Sequence, residues 1–177
     1  MSEPSTDELR YLVDKQRVHD LLARYCRGVD RVDRDMIASV FHPDGTCEFG
    51  ALLLEGRDAI ADAISKAAGG CILTFHMIGN HLVEFHGDVA ASEAYYLSAS
   101  TVEVDGSKQL RMRAGRYADR LERRDGEWKL KTRVVVEDWC KFMDLPLLPE
   151  GVSFRPGQQG TTDALYALLG SLADPVS

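Results

Sequence analysis

The fold is decided by residues 117–130, Tyr117-Ala118-Asp119-Arg120-Leu121-Glu122-Arg123-Arg124-Asp125-Gly126-Glu127-Trp128-Lys129-Leu130. Asp125-Gly126 between charged neighbours is a tight-turn signal, and the segments on either side have the two-residue rhythm of strands. Two turns of the same kind precede it, at Gly87-Asp88 and Asp105-Gly106-Ser107. Together they predict long antiparallel strands over Val89–Val104, Lys108–Arg123 and Trp128–Asp138, joined by hairpins. Strands of this length curl around whatever lies on their concave side.

Upstream of this meander the pattern is helical. Leu9, Leu12, Val13, Leu21, Leu22, Tyr25 and Cys26 recur at three- and four-residue steps, Ser5 and Glu8 have capping-box spacing, and Gly28 suits the helix end. Asp33 is a plausible cap for a second helix with Met36, Ile37, Val40 and Phe41 on its apolar side, stopped by the turn His42-Pro43-Asp44-Gly45. Short strands at 46–49 and 52–55 follow, then a helix from Asp58 to Ala68 ended by Gly69-Gly70. The expected fold is α+β: a cone-shaped, strongly bent antiparallel sheet with N-terminal helices enclosing a pocket, over residues 1–139. Residues 140–177 are expected to form a C-terminal extension, too rich in proline and glycine to continue the sheet. It carries a short helix with Leu165, Leu168, Leu169 and Leu172 on one side and Thr162 as cap, a lid or an oligomer contact.

The 177 residues are 45% apolar and 28% charged, the balance of one soluble domain rather than a disordered chain. Against 28 acidic residues stand 21 Lys and Arg, a net charge of −7, which disfavours a nucleic-acid partner. No apolar run approaches the ~18 residues of a membrane helix. The stretch Met1–Glu8 lacks the basic start and apolar core of a secretory signal, so a cytoplasmic protein without a membrane partner is expected. Its cysteines, Cys26, Cys47, Cys71 and Cys140, are expected to be free, semi-buried thiols. Nucleotide-binding, serine-hydrolase and zincin motifs are lacking.

Chemistry falls to a scatter of His, Asp, Tyr and Arg. His76, in an apolar strand, is either a satisfied core histidine or a general base, and a base needs a partner to fix its tautomer. Asp30 is either that partner or a helix-end aspartate paired with Arg31 or Arg34. Tyr25 lies five residues earlier, about 140° around a continuous helix, so it reaches the same place only if the chain bends near Gly28; otherwise it is a core aromatic. Strict alternation puts Arg133 on the face of Lys129, Lys131, Val135 and Glu137, solvated unless the sheet curls it inward. His76, His81 and His86 are spaced by five, which alternates faces, so no metal site is expected.

The segments Asp20–Tyr25 with Gly28-Val29-Asp30, Phe41–Gly45, Thr74–Asn80 and Tyr117–Leu130 resemble, in order and spacing, the SnoaL-like branch of the nuclear transport factor 2-like superfamily, over roughly residues 8 to 139. Within it the chain looks most like scytalone dehydratase, hexachlorocyclohexane dehydrochlorinase and bile-acid 7α-dehydratase. The resemblance implies a His–Asp dyad on His76 and Asp30, with Tyr25 and Arg133 beside it. It departs from the bile-acid enzyme at Tyr96-Leu97-Ser98-Ala99, where that enzyme has an aspartate.

The implied chemistry is β-elimination by a lyase without metal or organic cofactor. His76 takes a proton from an activated carbon, Asp30 steadies the imidazolium, Tyr25 donates to the leaving group and Arg133 supplies positive charge. Leu73, Phe75, Met77, Tyr95 and Tyr96, with Asn80, are the expected substrate contacts, suited to a hydrophobic ring such as a hydroxysteroid or a polyketide-like compound. An isomerase or polyketide cyclase would use the same dyad, and a non-catalytic binding module would keep the pocket alone. The wide sheet faces, with the resemblance, imply a homo-oligomer, a trimer before a dimer.

Overall fold

In the computed structural model, which describes residues 3–145 and 154–173, Ser5 opens helix α1 (Thr6–Arg31) through a complete capping box with Glu8. The stripe of α1 is buried from Val18 onward, at Leu21, Leu22, Tyr25, Cys26 and Val29, whereas Leu9, Leu12 and Val13 are about half exposed. Gly28 does not end the helix. The stop is Val32, left-handed at φ 55°, whose N–H bonds the carbonyls of Gly28 and Val29. Gly28 serves close packing instead: a Cβ there would meet Ile37 Cγ1 at 3.0 Å and the Ile37 backbone nitrogen at 3.1 Å. Ile37 belongs to α2 (Arg34–Ser39), capped by the Asp33 carboxylate on the Met36 N–H. A third helix, α3, covers Arg57–Gly69.

Six strands form one curled sheet: β1 (Phe41–Phe49), β2 (Leu52–Glu55), β3 (Leu73–His86), β4 (Val89–Val104), β5 (Ser107–Arg124) and β6 (Glu127–Asp144). Their order is β2-β1-β6-β5-β4-β3, antiparallel except for the parallel β1–β6 pair. The expected turn His42–Gly45 is taken into β1 as a break in register beside β6, where Lys131 Nζ and Arg124 hold Asp44. Strand β6 runs on to Asp144, into residues expected to lie outside the sheet. Beyond it, a short 3-10 turn at Gly160–Thr162 leads to α4 (Ala164–Ala173). Asp163, not Thr162, caps that helix, accepting from the Leu165 N–H. Pro146, Pro149, Gly151 and Pro175 lie outside the described residues, as does the Leu172 side chain.

Three one-residue insertions decide which side chains face inward. Asn80 and His81 oppose Ala94 alone, with Asn80 at φ 47°. Lys131 is the extra residue between the pairs Leu121–Leu130 and Arg120–Thr132, and Asp138 the extra one between Gly115–Glu137 and Ala114–Trp139. Each reverses the alternation of the strand beyond it. The concave face carries a core with Leu22, Ile37, Phe41, Ile60, Leu121 and Leu130 fully buried, each such side chain contributing about 1.5–3 kcal/mol of transfer free energy.

Candidate active site

Helix α1 lies across β3, and its last turn brings Asp30 to His76. One carboxylate oxygen is 2.6 Å from the ring Nδ1 and the other accepts the His76 backbone N–H at 3.0 Å. The carboxylate thus grips one residue twice, and Nδ1 is assigned as the protonated nitrogen, leaving Nε2 as acceptor. Both side chains are largely shielded, at 14% and 13% exposure. Asp30 also stands at the C-terminal end of α1, where the backbone carbonyls add to its negative potential.

His76 lines a cavity of about 820 Å³, counting the part open to solvent. Tyr25, Val29, Leu54, Ile64, Tyr96 and Tyr117 supply much of its apolar wall. Tyr25 and His76 reach it although α1 runs unbroken through Gly28: the two line one cavity while Asp30 stays behind the histidine. Burial pushes the Tyr25 and Tyr117 phenols far above their ordinary range, against the pull of Arg133, so both are neutral donors near pH 7. The same burial raises Cys26 to about 12 and Cys47 to about 11, as expected of a dry interior.

Arg133 is neither a surface residue nor part of the cavity wall. Its side chain is fully enclosed, paired with Asp119 at 2.8 and 2.7 Å, and its guanidinium lies against the faces of both Tyr25 and Tyr117, 4.2 and 4.1 Å from their centroids, the two rings meeting edge to face at 80°. The Lys131 insertion explains the correction, because it turns Arg133 onto the face of Leu130 instead of that of Lys131. Burial works against its charge, and the facing carboxylate outweighs burial.

Five expected substrate contacts are corrected as well. With His76 inward, Phe75 and Met77 alternate to the convex face, 53% and 54% exposed, and Tyr95 stands beside them. Asn80 is the exposed member of the β3 insertion. Tyr96 alone of the expected contacts lines the cavity. Leu73 also lies outside its lining. Of the cysteines, Cys140 is exposed and the other three are buried, all free. His81 Nε2 and the Ser92 hydroxyl share a hydrogen bond of 3.1 Å, and among the described residues no cluster of three metal-binding side chains occurs. The described tail reaches the rim without lining the cavity: Gln159 bonds the carbonyls of Ala68 and Cys71, and Arg31 pairs with Asp163.

The sequence reading passed over Asp119, Tyr117, Thr74, Ser98, Ser100, Arg111 and Arg113, of which all but Asp119 line the cavity. The signal was available in the turn at Asp105–Gly106, whose tight geometry sets Ser98 opposite Arg113 and Ser100 opposite Arg111.

The family model described as SnoaL-like domain matches residues 10–134. An uncharacterized protein of Mycobacterium tuberculosis and one of Mycobacterium bovis are each 28% identical over 133 residues, covering 73% of this chain and 89% of theirs. Among solved structures, a type 2 hexachlorocyclohexane dehydrochlorinase superposes with a TM-score of 0.73 at 23% identity, covering 81% of this chain and 99% of that one. The type 3 enzyme of Novosphingobium barchaimii gives 0.70 at 22%, covering 84% and 98%. At these identities the structural likeness speaks for the fold.

Proposed function

This chain belongs to the SnoaL-like family, and from that footing we propose that it is a lyase performing β-elimination on a hydrophobic ring compound, with His76 as base. The observation that carries the reading is the double grip of Asp30 on His76 at the wall of a mostly apolar cavity. Nε2 takes a proton from a carbon made acidic by a neighbouring carbonyl or halogen. The C–H electron pair becomes the new double bond, and the leaving group departs with the pair of its own bond. Asp30 holds the tautomer and faces the imidazolium as it forms. Tyr25, kept neutral by burial, donates to the departing oxygen or to the developing enolate. Arg133 acts one layer back: it fixes the rings of Tyr25 and Tyr117 and is a positioning residue.

The exposed Phe75, Met77, Tyr95 and Trp139 share the convex face, and we propose this apolar patch as the contact surface of a homo-oligomer, a trimer before a dimer. The test of the reaction is a panel of hydroxysteroids, β-hydroxyketones and halogenated rings, incubated with the wild-type protein and with His76→Ala. Loss of hydroxide or halide with appearance of an alkene is expected from the wild type alone. No elimination across the panel, or elimination that survives His76→Ala, would overturn the reading.

A further inference from the structure

Two inward rows cross β3, β4 and β5. One joins His76, Ser98 and Arg113; the next joins Thr74, Ser100 and Arg111. All six side chains line the cavity. Two guanidinium groups therefore stand in one wall of a largely apolar chamber. Arg113 is balanced by Glu137. Arg111 is not: its Nη2 reaches the Cys71 thiol at 3.6 Å, its Nε is buried without a hydrogen-bond partner, and among the described residues no carboxylate pairs with it. A shielded guanidinium without counter-charge is costly, and its planar fork of donors matches a carboxylate. Between the two arginines and the dyad, Ser98 and Ser100, each 5% exposed, add two hydroxyls.

We infer that the cavity holds a carboxylate of its ligand on Arg111 and Ser100, flanked by Ser98 and Arg113. The inference rests on the elimination reading and narrows its substrate from a hydrophobic ring to a hydrophobic ring acid. Neighbouring strands lie about 4.8 Å apart, so the backbones of His76 and Arg113 are about 10 Å apart across β4. The carboxylate therefore lies on the β5 side of the cavity and the carbon that loses its proton on the β3 side, in a chamber also lined by Leu52, Leu54 and Ile64.

The probes are 1-naphthoate and its neutral isostere 1-naphthamide, titrated calorimetrically into the wild type, Arg111→Gln, Arg111→Lys, His76→Ala and the hairpin-tip control Lys108→Gln. Charge-assisted hydrogen bonds predict that the wild type binds the acid at least about tenfold tighter than the amide. Arg111→Gln should bring the two within about twofold, Arg111→Lys should keep part of the preference, and Lys108→Gln should keep all of it. Equal binding of acid and amide by the wild type overturns the inference without recourse to any variant. So does a full preference in an Arg111→Gln protein that melts like the wild type. His76→Ala should retain the preference; its loss there would assign the anion to a protonated His76 and overturn the Arg111 site. Acid preference without elimination of any ring acid sinks the proposed reaction and leaves the site standing. Elimination of neutral rings with no acid preference does the reverse.

Discussion

Replacing Asp119 by asparagine preserves the shape of the side chain and removes its charge. Neither Asp119 nor Arg133 exposes any side-chain surface, and they share bonds of 2.8 and 2.7 Å. Two unit charges about 4 Å apart attract by about 4 kcal/mol at an effective dielectric of about 20. The two tyrosine faces against which Arg133 lies, each worth up to about 2 kcal/mol when desolvated, are present before and after the change and cannot compensate. Stranding the guanidinium should thus cost about 3–5 kcal/mol, or roughly 6–20 °C in Tm for a chain of this length. Arg133→Met combined with Asp119→Leu removes the desolvation penalty together with the attraction, and should recover most of the loss. The assay is urea unfolding followed by circular dichroism, at one protomer concentration, for wild type, Asp119→Asn, Asp119→Leu, Arg133→Met and the double. An Asp119→Asn cost below about 1 kcal/mol, or a double variant that loses the sum of the singles, would refute the account of Arg133 as an internal charge steadying Tyr25.

At Gly115 an added Cβ would fall 1.9 Å from the Val136 carbonyl oxygen, so Gly115→Ala should cost about 2 kcal/mol or more in thermal melts. Gly79→Ala, with open space around the site, should stay within about 0.5 kcal/mol. Asp30→Asn should leave folding intact and lower turnover about 10²-fold or more, with the His76→Ala double variant no worse than His76→Ala alone, in single-turnover kinetics. Burial, helped by His19 and Lys15, holds His81 below its ordinary 6.5. The unfolded chain therefore binds the proton first as pH falls below 6.5, and stability drops there. His81→Gln should show a smaller fall in urea midpoint than the wild type between pH 7 and about 5. Glutamates at Met77 and Trp139 together should reduce the mass seen by light scattering to that of one chain; an unchanged mass would exclude the convex face as the interface.

Strand β4 is found at Val89–Val104 as expected because tight turns leave little freedom at either end. Gly28 misled because glycine both ends helices and admits close neighbours, and only the position of Ile37 tells which. Phe75 and Met77 were assignable from the sequence: placing His76 inside already sends its two neighbours outside. The inward turn of Arg133 was not assignable by alternation, since nothing local marks Lys131 as the extra residue; its Nζ bonds Asp44, 87 residues away in the chain. The pairing of Asp30 with His76, 46 residues apart, was reachable through resemblance alone, because helix rotation gives the direction of Asp30 and nothing about what it meets.

A strand has two sides, so its sequence is read in a frame of two letters, and each extra residue shifts the frame. Strand β6 is written in three such frames, changing at Lys131 and again at Asp138. Lys131 is the spare letter, so deleting it returns the strand to plain alternation, with Thr132 outward and Arg133 and Val135 still inward. A deletion at Val134 has no spare letter beside it: it would transpose the next stretch, exporting Val135 and importing Val136, until the extra residue at Asp138 absorbed the shift. Loss of one residue should keep the reading at Lys131 or Asp138 and act as a frameshift in the folded chain between them.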